Sequence, residues 1–221
     1  MQRSLKLAVV ALAATTLLAA ALSSASARNL SVSTQNIRAT WASLEFETGV
    51  GILIRCPVTL EGSFHSRTIA KVERLLIGAI TRAISKQEAC TRGIAATFNG
   101  VERYNGVTPA NTLPWHITFE SFSGELPNIT SVRLLFSRFR FGIRDTEALC
   151  TGQYGKAEDN ISLSAALTAG TVTSLTPVEG RNIAHLSMRD GGVSCPNTIA
   201  LRGSGSVMVL NNTTQIRVTL I

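Results

Sequence analysis

Between Val50 and Leu60 every second residue is apolar: Val50, Ile52, Ile54, Cys56, Val58 and Leu60 are interleaved with Gly51, Leu53, Arg55, Pro57 and Thr59, with Glu61 following. Side chains on an extended strand point alternately to opposite faces, so this run buries one coherent face only as a strand, with Cys56 directed inward. A helix would spread the same residues around its circumference. Pro57 has no N–H to offer a neighbouring strand, which predicts a sheet edge or a bulge at that position. Upstream, Arg38 to Phe46 also reads as a strand, with Leu44 and Phe46 on one side and Trp41 opposite.

Cys56 is one of four cysteines, with Cys90, Cys150 and Cys195. What they do depends on the compartment, and the N-terminus predicts it. Arg3 and Lys6 precede an apolar run from Leu7 to Leu22, and Ala25-Ser26-Ala27 fits the small-residue rule for signal cleavage. The expectation is a signal peptide over residues 1–27, removed after Ala27, and one domain over 28–221, either secreted or associated with the cell envelope. No second long apolar run follows, so no transmembrane span is expected after cleavage. In an oxidising compartment an even cysteine count argues for two disulfides. Four cysteines allow three connectivities; Cys56 with Cys90 and Cys150 with Cys195 is preferred because it closes the shorter loops. Each bridge would contribute about 4 kcal/mol in the loop-entropy picture.

Composition supports a folded chain. Of 221 residues, 45% are hydrophobic and 16% charged, which excludes intrinsic disorder. The net charge of +7 falls to +5 once Arg3 and Lys6 leave with the first 27 residues, and 194 residues remain. That modest excess gives no reason to expect a nucleic-acid partner.

From Ser66 to Gln87 the period changes. Ile69, Val72, Leu76, Ile80 and Ile84 recur every three or four residues, which predicts one amphipathic helix over about 66–87, although Gly78 and the β-branched residues oppose it. After Cys90, Ile94–Phe98, Asn99-Gly100 and Val101–Tyr104 form a hairpin signal. Strands are expected over His116–Phe122 and Ser131–Ile143, then in shorter runs to Leu220, with Asn211-Asn212 turning the last pair. The fold class is therefore mainly β, an antiparallel sandwich or barrel-like domain with one helix.

The runs CPVTLEGSFHS (Cys56–Ser66), TIAKV (Thr68–Val72), LPWHI (Leu113–Ile117), ITSVRLL (Ile129–Leu135) and VTLI (Val218–Ile221) resemble a group of uncharacterised secreted actinobacterial proteins. The resemblance implies export and a bacterial source, and brings no activity or ligand.

The search for chemistry is sparse. His65, His116 and His185 stand on separate segments with no metal-ligand spacing, and no cofactor motif occurs, so neither metal nor cofactor is expected. The nucleophile-elbow pattern is absent, and neither Asp145 nor Asp190 is paired by spacing with a histidine. No residue is nominated as catalytic. Arg133, Arg138, Arg140 and Arg144 interleave with Phe136, Phe139 and Phe141; on one strand the arginines at 138, 140 and 144 would share a face suited to an anionic polymer, with Phe139, Phe141 and Ile143 on the other face filling the core. Tyr104 and Trp115 bracket the loop Asn105–Pro114 and, with His116, Arg138 and Arg140, are the candidate ligand contacts, Trp115 being equally suited to plug the core. The expected role is a non-catalytic binding or structural module for an extracellular ligand or cell-envelope polymer. The alternatives are a hydrolase whose site assembles from distant strands, and an anionic-surface binder using the arginine stripe.

Overall fold

The computed structural model describes residues 29–48, 53–85, 89–91, 95–97, 113–125, 128–145, 150–155, 159–178, 185–191 and 195–221. These form sixteen strands: β1 (Asn29–Val32), β2 (Asn36–Thr48), β3 (Leu53–Phe64), β4 (Thr68–Ala70), β5 (Leu76–Ser85), β6 (Ala95–Thr97), β7 (Trp115–Glu125), β8 (Asn128–Ser137), β9 (Phe141–Asp145), β10 (Cys150–Tyr154), β11 (Asn160–Thr168), β12 (Thr171–Pro177), β13 (His185–Gly191), β14 (Thr198–Arg202), β15 (Ser206–Val209) and β16 (Val218–Leu220).

One antiparallel path runs β12-β11-β8-β7-β5-β3-β2, and β15 pairs with the first half of β2. Leu175 of β12 bonds to Gly205 beside β15, bringing the two ends of the path together. Eight strands thus make a nearly closed barrel, a number whose interior side chains can just fill. The second half of β2 pairs instead with β14, which starts a branch running β14-β13-β10-β9-β6. A three-stranded sheet, β16-β1-β4, caps the barrel end where β5 begins, placing Leu30, Val32, Ile69 and Val218 in the interior.

The alternating run behaves as its pattern requires. Ile54, Cys56, Val58 and Leu60 are buried on β3, and Cys56 is bonded to Cys90. Pro57 sits at a bulge: Val58 faces Trp41 and Cys56 faces Leu44, so Ala42 and Ser43 together oppose the residue that cannot donate. That bulge also corrects the expectation for Trp41. The extra residue restores the phase, so Ile37, Ala39, Trp41, Leu44 and Phe46 all face the core. The bulge is also where β2 changes partner from β15 to β14.

The helix expected over 66–87 is not formed; the segment is β4, a turn and β5. Two bulges explain its helix-like spacing. Opposite β7, Leu76 faces Thr118 and Gly78 faces Ile117, leaving Ile77 extra; opposite β3, Arg82 faces Glu61 and Ile80 faces Gly62, leaving Thr81 extra. Each extra residue stretches a spacing of two to three, so the inward residues are Ile77, Ile80 and Ala83. Val72 and Leu76, part of the supposed apolar helix face, are exposed.

At the barrel end opposite the cap, Phe46, Trp115, Phe139, Phe141 and Tyr154 fill the junction with the branch. Trp115 lies 4.4 Å from Phe139 and Phe46 lies 4.7 Å from Phe141, centroid to centroid. The Tyr154 hydroxyl donates to the Pro196 carbonyl at 2.8 Å, and burial pushes its pKa up.

Candidate functional site

The barrel interior is lined by apolar side chains from the strands and the cap, and it encloses a cavity of about 60 Å³. An apolar cavity that holds benzene is nearer about 150 Å³, and small-molecule pockets are several times larger still. Side chains occupy the space a carrier protein would leave for cargo. An apolar interior with charged residues outside also reverses the pattern of a membrane-spanning barrel.

On the outer surface Glu61 is the one buried carboxylate among the residues described. Strand register puts Arg38 of β2 and Arg82 of β5 directly beside it. The Arg38 Nε donates to Oε1 at 2.9 Å and the Arg82 guanidinium to Oε2 at 3.0 Å, while Arg38 also reaches the Asn211 side-chain oxygen at 3.3 Å. Burial alone would raise the carboxyl pKa, but the hydrogen bonds and charges of Arg82 and Arg38 outweigh it and hold it below the ordinary value. With both oxygens engaged, Glu61 is a clamp across three strands and is poorly placed to act as a general base. Glu45 with Arg55 and Glu47 with Arg202 are further surface pairs, at 2.8 and 2.9 Å.

A second polar row crosses β7, β8 and β11. His116 is opposite Ser137, and Ser137 is opposite Asn160. Nearby, the hydroxyl of the buried Ser162 donates to the Glu120 carboxylate. Glu120 is the bulge residue between Phe119 and Ser121, an irregularity that side-chain periodicity does not signal. Ser162 sits between the apolar Ile161 and Leu163, where alternation gives it no signal as a polar site.

The residues nominated from sequence separate. Trp115 is fully buried in the aromatic junction, which removes it as a surface contact. Tyr104 lies outside the described residues, as do the hairpin turn Asn99-Gly100 and the loop as far as Thr112. His116 is half-buried on the outer face of β7. The arginine stripe is not on one strand: β8 ends at Ser137 and β9 starts at Phe141, so Arg138 and Arg140 occupy the turn between them. Arg138 has φ 67° and is exposed, Arg140 is half-buried, and Arg133 lies back on β8. Phe139 and Phe141 are buried, as expected of aromatics that fill a core, and Phe136 is buried with them.

His185 lies on β13 opposite Ala200, Asp190 opposite Gln153, and His65 follows the end of β3. No group of three metal-ligating residues occurs among the described residues. Cys195 is disulfide-bonded. No helix among the described residues is long and apolar enough to cross a membrane.

No family model, curated protein or solved structure matches the chain.

Proposed function

We propose that this is an exported, disulfide-stapled β-barrel domain that acts without catalysis, binding an extracellular ligand or the cell envelope through its outer surface. The observation that carries this reading is the apolar filling of the barrel, which leaves the exterior as the place where a partner can be met. The signal-like N-terminus and the Cys56–Cys90 bridge support an extracellular setting. The surface carboxylates Glu45, Glu47 and Glu61 are engaged by arginines in pairs that brace neighbouring strands.

A hydrolase is the second reading, favoured by the row His116, Ser137 and Asn160 with Glu120 and Ser162 nearby. A histidine beside a serine is the start of a nucleophile–base pair, although the row lies on an open sheet face. The exported protein, assayed against ester, glycoside and peptide substrates, separates the two readings. The proposal expects no turnover above buffer; reproducible turnover abolished by His116→Ala or Ser137→Ala would replace it with the hydrolase.

A further inference from the structure

We infer that the capped end of the barrel seats on an anionic lipid surface; this deepens the envelope-binding reading proposed above and rests on it. The exposed large apolar residues among those described are Val72 (57%), Leu75 (43%), Leu76 (43%) and Ile221 (53%), and all four lie at this end. Val72 and Leu75 close a turn through the Leu75 N–H and the Val72 carbonyl at 3.1 Å, and Leu76 begins β5. Ile221 exchanges backbone hydrogen bonds with Asn29 at 3.2 and 3.0 Å, and Asn29 is in register with Ala70, two residues before Val72. Apolar side chains scattered singly need no explanation, but these gather on one rim.

Charge and backbone point the same way. The turn carries Lys71, whose ammonium lies 5.2 Å from the Phe122 ring centroid, and Arg74, whose side chain is 81% exposed; Glu73, 3.8 Å from Arg74, is its one acid. Arg74 has φ 62°, a region that glycine enters freely and other residues enter at a cost. A strained backbone that keeps an exposed arginine beside exposed leucines is the kind of local cost found at contact sites. Apolar side chains that enter the headgroup boundary, flanked by cations that meet lipid phosphates, are the requirements of interfacial binding.

The chain's route supplies the occupant. The apolar run Leu7–Leu22 precedes Asn29 by seven residues, a span of at most about 25 Å when extended. Since β1 begins on this same rim, a leader held in a bilayer would keep the rim within that distance of the bilayer before any cleavage.

The test is sedimentation of the exported, processed protein with vesicles of phosphatidylglycerol and phosphatidylcholine in equal parts, and with phosphatidylcholine alone. Binding to the anionic vesicles is expected, with affinity falling about tenfold or more in Leu75→Ser/Leu76→Ser. Lys71→Gln/Arg74→Gln should lose the salt-sensitive part of binding. Val72→Asp, at the most exposed of the four positions, serves if the leucine variant melts lower than the parent. Absence of parental binding to anionic vesicles, or folded rim variants that bind unchanged, overturns the inference. A protein that ignores vesicles yet sediments with lipid-free cell-wall polymer refutes the rim and leaves the proposed function standing; binding to neither refutes the rim and the envelope-binding arm of that function.

Discussion

Leu175 and Gly205 exchange both of their backbone hydrogen bonds, at 2.8 and 2.9 Å, and this pair closes the barrel between β12 and β15. The closeness depends on Gly205 having no side chain, because a Cβ there would fall 2.7 Å from the buried Trp41 ring. The seam, the bulge in β2 and the Trp41 plug therefore form one packing unit.

Gly205→Ala should accordingly destabilise the protein by about 1–3 kcal/mol through overpacking. In a Trp41→Leu background, where the ring is gone, the same change should cost distinctly less. Thermal melts of the single and double variants check this coupling, and hydrogen exchange at the Leu175 and Gly205 amides should accelerate in Gly205→Ala.

The Cys56–Cys90 bridge joins residues 34 apart and fastens β3 to the segment that follows β5. Replacing both cysteines with alanine should lower stability by about 4 kcal/mol, read from denaturant unfolding with a steeper slope, because the unlinked unfolded chain exposes more surface. Mass mapping under non-reducing conditions should recover a second bridge, Cys150 with Cys195. A peptide joining Cys150 to Cys56 or Cys90 would contradict the pairing.

Glu61 predicts a pH dependence whose sign follows from its lowered pKa. The folded state holds the carboxylate below its ordinary value of 4.5, so the stabilisation is complete above that value and is lost as pH falls through the folded pKa. At neutral pH Glu61→Gln should cost about 1–2 kcal/mol, a modest figure because Arg38 and Arg82 are 36% and 62% exposed. Melts of parent and variant should converge in acid; a gap that stays constant would contradict the assignment.

Arg74→Gly separates stability from contact. Relief of the positive φ and the greater freedom of glycine in the unfolded chain oppose each other, so the melting temperature should stay level or rise slightly, within about 1 kcal/mol. A large loss of stability would mean that the arginine side chain braces the turn.

What sequence can reveal of this fold depends on where the strands are regular. Ile54 to Leu60 keep strict alternation and could be read directly, including the irregularity at Pro57. Ile77, Ile80 and Ala83 could not, because two bulges give a strand the spacing of a helix, and the single bulge at Ala42-Ser43 turned Trp41 to the core face. The cap was invisible for a different reason: Leu30 pairs with Leu220, a contact between distant parts of the chain that no local pattern encodes. The arginine stripe misled because a turn at Arg138 interrupts an apparently continuous strand.

The central claim is that an exported barrel with a filled interior works by holding to the envelope with its outside. A binding isotherm of the processed protein on washed, isolated cell envelopes, repeated at increasing salt, tests it most directly. Saturable retention that weakens with salt is the predicted result; protein that remains in the supernatant at every salt concentration would contradict the claim.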